Sequence, residues 1–378
     1  MLVALDRLSH VSSWLFAAWI GALSLALVAA WHVATHAVLV PWIAGSLYLL
    51  AAAADWMWLA SLPRRGISFG PVKPPLLGLT GLRFLAGLVP LLGVAAGCAA
   101  WACLLAGGLF QVLIAGAVVY GTGIEPFRLG VTRIEVKTSK LPPGQRLRLV
   151  QISDLHVERI TRRERELVVK VNALHADTIL LTGDYLSFSY VGEARAMADA
   201  RQILGGLMAK YNIYAVRGTH QVDSNAVLAA LLDGLAIRWL RNEHVVVSHG
   251  GSRVAFAGAS CTRDRSIDVP AVQRAMDGIP AGVFSVLAYH TPELVPEAAA
   301  AGVDLYLAGH THGGQIRAPF YGALLTNSDA GKQYEMGRYD VHDLTLYVSR
   351  GIGMEGRGAP RARFLCPPEI VCVDVVGA

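Results

Sequence analysis

The chain has 378 residues, 54 % of them hydrophobic and only 16 % charged, where a soluble domain carries about 25 % charged residues. A formal net charge of +5 comes without any Lys/Arg cluster interleaved with aromatics, so a nucleic-acid partner is excluded as a working reading. Five cysteines without paired spacing exclude a secreted disulfide scaffold.

The charge deficit lies in residues 1–122, which hold five basic side chains (Arg7, Arg64, Arg65, Lys73, Arg83) and two acids (Asp6, Asp55). Trp14 to Trp31 and Ala37 to Ala54 are apolar and uncharged, and Phe84 to Tyr120 contains no charge at all. A membrane-spanning helix needs about 20 apolar residues. The first two runs supply one helix each. The third is long enough for two, with a turn expected at Gly107–Gly108, so residues 1–122 read as four transmembrane helices, three being the alternative. Trp14, Trp31, Trp42, Trp56 and Trp58 fall near the expected helix ends, as interfacial aromatics do. The loop 61–83 carries four basic residues and no acid, which places it on the cytoplasmic side. With four helices the rest of the chain is also cytoplasmic, at an inner or plasma membrane; with three it is outside. Asp55 is an intramembrane acid of the kind that marks function, but the bundle lacks a polar stripe, which argues against a transporter.

Residues 123–146 read as a linker and leading strand, and 147–376 as one globular domain. "LRLVQIS" (147–153), "TILLTG" (178–183) and "NIYAVRG" (212–218) are short apolar runs of buried-strand type. Helical patterns lie between them, at 161–175 and about 193–209. "HVVVSHG", "RVAFAGAS", "FSVLAYH" and "VDLYLAGH" add strands, with "PELVPEAAAAG" as a helix, and "LTLYVSRG" and "PEIVCVDVV" close the domain. Strands alternating with helices, followed by several strands in succession, give an α/β layered domain with a mixed sheet or two sheets.

Seven side chains able to bind metal stand just past expected strand ends: Asp154 and His156, Asp184, His220, His290, and His310 and His312. Ligands bind at the carboxyl ends of strands in such sheets. Any one of these residues alone reads as a turn residue or helix cap, and His175, His244, His249 and His342 read as surface or packing residues. The ordered set points to a metal site. Carboxylates and imidazoles without thiolate suit Mn, Fe, Zn or Ni. The number of ligands suggests two divalent ions, an arrangement suited to in-line displacement at phosphorus.

The motifs "ISDLH" (152–156), "LLTGDYL" (180–186), "VRGTHQ" (216–221), "LAYHTPE" (287–293) and "LAGHTHGGQI" (307–316) resemble those of the calcineurin-like metallophosphoesterase superfamily. "YVSRGIG" and "RFLCPPEI" (363–370) are similar to its membrane-associated bacterial branch. The resemblance spans about 147–376. It implies two central mixed β-sheets flanked by helices, behind the N-terminal transmembrane helices, and a metal-dependent phosphoesterase or phosphodiesterase activity. It also implies that Asp154, His156 and His312 hold one metal, that His290 and His310 hold the second, and that Asp184 bridges them. His220 would protonate the leaving-group oxygen or stabilise charge there.

Thr219 departs from the family's Gly-Asn-His, whose amide oxygen binds the second metal, and Gln221 stands where an acid is usual. A weakened second metal follows as the expectation, with Asp223 and Asn225 as nearby oxygens. The substrate expectation is a phosphoester or diphosphate of a small molecule or lipid next to the bilayer, UDP-diacylglucosamine being one family precedent. Arg350, in the Gly- and Arg-rich stretch 349–363, is a candidate phosphate contact. The rival reading is a catalytically weak sensor or scaffold domain on a membrane anchor.

Overall fold

The computed structural model describes residues 10–67, 70–354 and 360–378. The chain divides into two compact units, one running to Ile124 and taking in the short stretch that ends at Ala362, the other made of the remaining residues from Glu125 onward.

The first unit is helical: α1 Ser13–Thr35, α2 Leu39–Ser61, α3 Lys73–Leu88, α4 Leu91–Ala95 and α5 Ala100–Val119. Ser12 caps α1 by accepting from the Leu15 amide at 3.2 Å, and the helix stops at His36 in a left-handed conformation. Four stretches are long and apolar enough to cross a membrane: Ser13–Thr35, Leu39–Arg65, Lys73–Ala95 and Ala100–Phe127.

The four-helix expectation and the observed count agree, but the expected turn is misplaced. The chain reverses at 96–99, where Gly97 has φ 86°, and Gly107 and Gly108 lie inside α5. The cause is upstream. Lys73 and Arg83, expected in a loop, belong to α3, so the third crossing begins and ends earlier. A charge inside an apolar helix is tolerated only when it is paired, and Arg83 is. Its Nε and Nη2 donate to the two Asp55 carboxylate oxygens at 2.6 and 2.8 Å. Its Nη1 donates to the Gln111 carbonyl and side-chain oxygens at 2.9 and 3.0 Å. The Gln111 amide returns a bond to the Arg83 carbonyl at 2.9 Å. One buried network thus ties α2, α3 and α5. Trp31, near the end of α1, is buried and donates to the Gly87 carbonyl at 3.0 Å.

The second unit has two six-stranded mixed sheets. The first contains β1 Gly130–Thr138, β2 Arg146–Ile152, β3 Thr178–Leu181, β4 Asn212–Ala215, β5 Arg238–Trp239 and β14 Glu369–Gly377, in the order β1-β14-β2-β3-β4-β5. The second contains β6 Glu243–His249, β7 Ser252–Gly258, β8 Phe284–Ala288, β9 Leu305–Ala308, β12 Gly337–Val341 and β13 Leu344–Val348, in the order β12-β13-β9-β8-β7-β6. A two-residue ribbon, β10 Arg317–Ala318 with β11 Gly322–Ala323, stands apart. The inner strands β2–β3–β4 and β7–β8–β9 run parallel. Their unbroken apolar runs follow from burial on both faces.

Leu149, Leu180, Tyr214, Phe256, Val286 and Leu307 fill the space between the sheets. Helices α6 Arg162–Asn172, α7 Ala194–Gly205 and α8 Asn225–Leu232 cover the outer face of the first sheet. Helices α9 Arg265–Met276 and α10 Val295–Ala300 cover the second. α6 begins with a capping box, Thr161 and Glu164 satisfying each other's backbone donors. The consequence for function is directional: β2, β3, β4, β8 and β9 all deliver their carboxyl ends to one edge of the sandwich.

The network in the helical unit yields a prediction. Removing one partner of a fully buried pair strands the other charge, at a cost of about 3–5 kcal/mol, whereas replacing both with apolar residues is close to neutral. Arg83→Met should therefore lower the thermal stability of the full chain in mild detergent by that order, and Asp55→Leu/Arg83→Met should recover most of it. Equal losses in both proteins would disprove the pairing argument.

Candidate metal centre

Six side chains meet at the strand ends as two groups of potential ligands, Asp154–His156–His312 and Asp184–His290–His310, with all six residues buried. The local backbone explains how strands of four to seven residues bring them together. Asp154, His156, Asp184, His310 and His312 have φ of 51°, 41°, 55°, 69° and 51°. Non-glycine residues seldom adopt this left-handed region, at roughly 1–2 kcal/mol each. The strands β2, β3 and β9 thus each end in a left-handed turn that brings a ligand side chain to the shared edge.

The reversals are held by one another. The Asp154 amide donates to the Gly183 carbonyl at 2.9 Å, His156 to Asp184 at 3.0 Å, and Gly309 to His290 at 2.8 Å. Glycine is required at two of these crossings. A Cβ on Gly218 would lie 2.3 Å from the Asp184 amide nitrogen and carboxylate, and one on Gly309 would lie 1.9 Å from Ser153 Oγ.

The donor geometry suits a cation. His156 Nε2 and His312 Nε2 are 3.0 Å apart, and His312 Nε2 is 3.5 Å from Asp154 Oδ1. In the other group His290 Nε2 lies 3.3 Å from Asp184 Oδ2 and 3.2 Å from His310 Nδ1. Ligands about 2.1 Å from a common ion stand roughly 3.0–3.4 Å from each other. The Asp184 Oδ2 atom is also 3.7 Å from His156 Nε2, so this carboxylate faces both groups.

Two imidazole orientations are fixed from behind. His290 Nδ1 contacts the Thr182 carbonyl at 2.7 Å and His310 Nε2 the Asn327 carbonyl at 3.0 Å. Each ring thereby donates outward and turns its other nitrogen toward the ligand group. The Nδ1 atoms of His156 and His312 have no such partner among the described residues.

Charge is concentrated here in a dry place. Burial alone would raise the Asp184 pKa, but the His290, His156 and His310 imidazoles outweigh it and hold the carboxyl well below the usual range. Burial works to lower His290, yet Asp184 and Asp154 carry it well above the ordinary histidine value. Burial and neighbouring His290 lower His310 to about 4, and burial with His156 pushes His312 well below its ordinary value. Asp154 is raised, by burial against some relief from His290. Neutral His310 and His312 beside an ionised Asp184 form a set of available lone pairs, the protonation a divalent cation requires.

The remaining expected residues sit as follows. Thr219 reaches the second group: its Oγ1 is 3.2 Å from Asp184 Oδ2 and 3.3 Å from His290 Nε2, and its amide donates to Asp184 Oδ1 at 2.6 Å. His220 follows it in the turn and is exposed. Asp223 and Asn225 are not substitutes for the missing amide oxygen. Asp223 is buried and accepts from the amides of Asp184 and Gly218 at 2.7 and 2.9 Å and of Tyr185 at 3.2 Å. Burial and the Asp184 charge raise it to about 7. Asn225 accepts from Arg217 at 3.2 Å.

Arg350, the expected phosphate contact, is already engaged: its guanidinium binds Glu369 at 2.6 Å and stands 3.3 Å from Thr132 Oγ1. Arg363 in the same stretch is buried and donates to carbonyls of Arg350, Gly351, Gly353 and Cys366. Residues 355–359 of that stretch lie outside the described residues.

Sequence reasoning missed the supports. Asp223, three residues after His220, clamps two loops, and Asn327 orients His310 from a distant connection. Asp223 was visible as an acid near a motif; nothing in the spacing pointed to Asn327.

Residues 147–314 match the family described as calcineurin-like phosphoesterase. The uncharacterized metallophosphoesterase YkuE of Bacillus subtilis is 30 % identical over 275 residues, covering 70 % of this chain and 93 % of the relative. An uncharacterized metallophosphoesterase of Aquifex aeolicus is 28 % identical over 279 residues, covering 71 % and 99 %. A transmembrane protein with metallophosphoesterase domain from Bos taurus is 29 % identical over 244 residues, covering 60 % of this chain and 53 % of that protein. With buried ligand groups at the strand ends and four membrane-length helices ahead of them, the chain belongs to the calcineurin-like metallophosphoesterase family and is a membrane-associated, metal-dependent phosphoester hydrolase.

Proposed function

We propose that this chain hydrolyses a phosphoester or diphosphate of a lipid-linked or nucleotide-linked substrate at a membrane surface, UDP-diacylglucosamine being one molecule of that class. The observation that carries the reading is the pair of buried ligand groups joined by Asp184. In it Asp154, His156 and His312 hold one divalent ion, His290 and His310 hold a second, and Asp184 lies between them; Mn, Fe, Zn or Ni fits the donors. Bound there, two such ions would supply polarisation of the phosphoryl oxygens and a water acidified toward neutral pH.

The chain's own residues do the rest. Thr182 and Asn327 carbonyls fix the imidazole tautomers. The Thr219 amide and hydroxyl hold Asp184 in place. His220, exposed and next to Thr219 in the chain, is the group that would meet a leaving-group oxygen and give it a proton. Four spans and the basic residues Arg64, Arg65 and Lys73 between the second and third support a cytoplasmic domain at an inner or plasma membrane.

Two predictions follow from the donor set. Full-length protein in mild detergent should bind two divalent ions per chain by elemental analysis and cleave an aryl phosphodiester with Mn²⁺. Asp184→Asn and His312→Ala should each lower turnover by at least about 100-fold; activity surviving both changes sinks the reading.

The second prediction concerns Thr219. Thr219→Ala removes the hydroxyl facing Asp184 and His290 and should weaken the second ion by about 10-fold, within the range seen when a supporting group is lost. Thr219→Asn should strengthen it. Stepwise Mn²⁺ titration followed by the spin-coupled signal of a paired site reads this directly, and identical second-site affinity in all three proteins would remove Thr219 from the centre.

A further inference from the structure

Beyond the metal centre, one short segment of the second unit departs from the rule that large apolar side chains are covered. Phe320, Tyr321, Leu324 and Leu325 are 110, 62, 58 and 61 % exposed, four large apolar residues within six positions. Leu365 beside them is 46 % exposed. Elsewhere among the described residues of this unit, exposed large apolar side chains such as Val169, Met208 and Ile267 occur singly, as they do on most proteins. A contiguous exposed apolar patch marks a surface that something covers.

The segment is a built hairpin. β10 and β11 pair antiparallel, Arg317 with Ala323 and Ala318 with Gly322, and Phe320 at the tip has φ 64°. Lys332 lies 3.6 Å above the Tyr321 ring and donates to the Tyr321 and Ala323 carbonyls at 2.7 and 3.2 Å. Arg317 pairs with Glu335 at 2.9 Å, and Glu335 accepts from the Ala323 amide at 3.2 Å. Charge at the base is neutralised while apolar side chains are held outward.

The root of the hairpin indicates what covers it. Ile316 bridges Phe364. The next two amides, of Leu365 and Cys366, donate to the carboxylate of Glu125, which is buried. Glu125 directly follows the helical turn Tyr120–Ile124 and lies near the end of the fourth membrane-length segment, Ala100–Phe127. The root of the hairpin is therefore hydrogen-bonded, through Leu365 and Cys366, to a residue at the end of that segment. From Ile316 to Phe320 an extended strand reaches about 13 Å, and the head-group layer on one side of a bilayer is roughly 5–8 Å thick. Phe and Leu on an aromatic-tipped loop suit the boundary between head groups and acyl chains.

We propose that the 316–325 hairpin inserts Phe320, Tyr321, Leu324 and Leu325 into the surface of the bilayer that the chain's own helices occupy. The hairpin begins at Ile316, four residues after His312, and Gly314 packs closely on Ala323. Insertion fixes the height of the strand-end centre above the lipid. The inference rests on the membrane association of the helices and is independent of the hydrolase reading.

The test uses the full chain with the exposed Cys98 changed to Ala, reconstituted at one chain per nanodisc of phosphatidylcholine and phosphatidylglycerol. Phe320→Cys, Leu324→Cys and, as a reference on an exposed remote position, Met208→Cys carry an environment-sensitive nitrobenzoxadiazole label. Labels at 320 and 324 should emit to the blue of the label at 208. Lipids bearing a nitroxide near the glycerol end should quench them about twofold, the response of a probe at about 5–10 Å depth. Emission matching the 208 label without quenching overturns the proposal. A blue shift without lipid quenching also overturns it, since the tip would then be covered by protein. Neither readout depends on catalytic activity, so failure here leaves the hydrolase reading standing, and an inactive protein can still show insertion.

Discussion

The centre depends on left-handed backbone at the ends of short parallel strands. A β-strand ending normally would send Asp154, Asp184 and His310 away from one another along the strand axes. In the left-handed region each chain doubles back, so residues two apart, such as Asp154 and His156, both face the same small volume. Five such residues represent several kcal/mol of unfavourable backbone. The opposing term is the mutual hydrogen bonding of the loops, in which each reversal supplies acceptors for the next. The glycines of the motifs exist for the same reason: Gly218 and Gly309 lie where another loop's backbone or side chain already fills the space a Cβ would need.

That strain concentrates like and unlike charge in one buried place. Two carboxylates and four imidazoles cannot all keep their solution protonation there. Asp184 is held ionised by its imidazole neighbours, His290 is driven toward its charged form by Asp184 and Asp154, and His310 and His312 are driven away from it. A divalent cation bound among these ligands would replace such competing protons with one charge that suits carboxylate and imidazole alike. Thr219 fits within this scheme. Its hydroxyl is shorter than an amide side chain, but its backbone amide binds the Asp184 carboxylate. A threonine here offers no amide oxygen, yet it holds Asp184 through both its amide and its hydroxyl.

Much of this was legible in the sequence because catalytic loops at strand ends have a local signature. "ISDLH", "LLTGDYL" and "LAGHTHGGQI" each place an apolar strand, a reversal and a ligand within a few residues, and the strands β2, β3 and β9 fall where the apolar runs suggested. What could not be read was non-local. α8 and α9 carry weak amphipathic patterns and went unrecognised between better-marked strands. Asn327 acts through its carbonyl, which every residue has, so its identity carries no signal. Arg350 looked available because a Gly- and Arg-rich run suggests solvent, yet Glu369, distant from it in that pattern, takes its charge. The helix boundary at Lys73 was hidden for a related reason: Arg83 looked like a loop residue until Asp55 and Gln111 on other helices accounted for its donors.

A single rule accounts for these misreadings. Arg83 and Arg350 are misplaced by composition because their partners are remote: hydropathy scores a residue alone whereas burial depends on the pair. Arg83 is buried and Arg350 partly buried, and the guanidinium of each is taken by an acid 28 and 19 positions away respectively. The rule also explains why the motif residues were placed well. Their partners are remote too, but every member of the set carries its own local mark, an apolar strand run just before it. Recognising the set required no knowledge of which member faces which, and the fold then supplied the pairings.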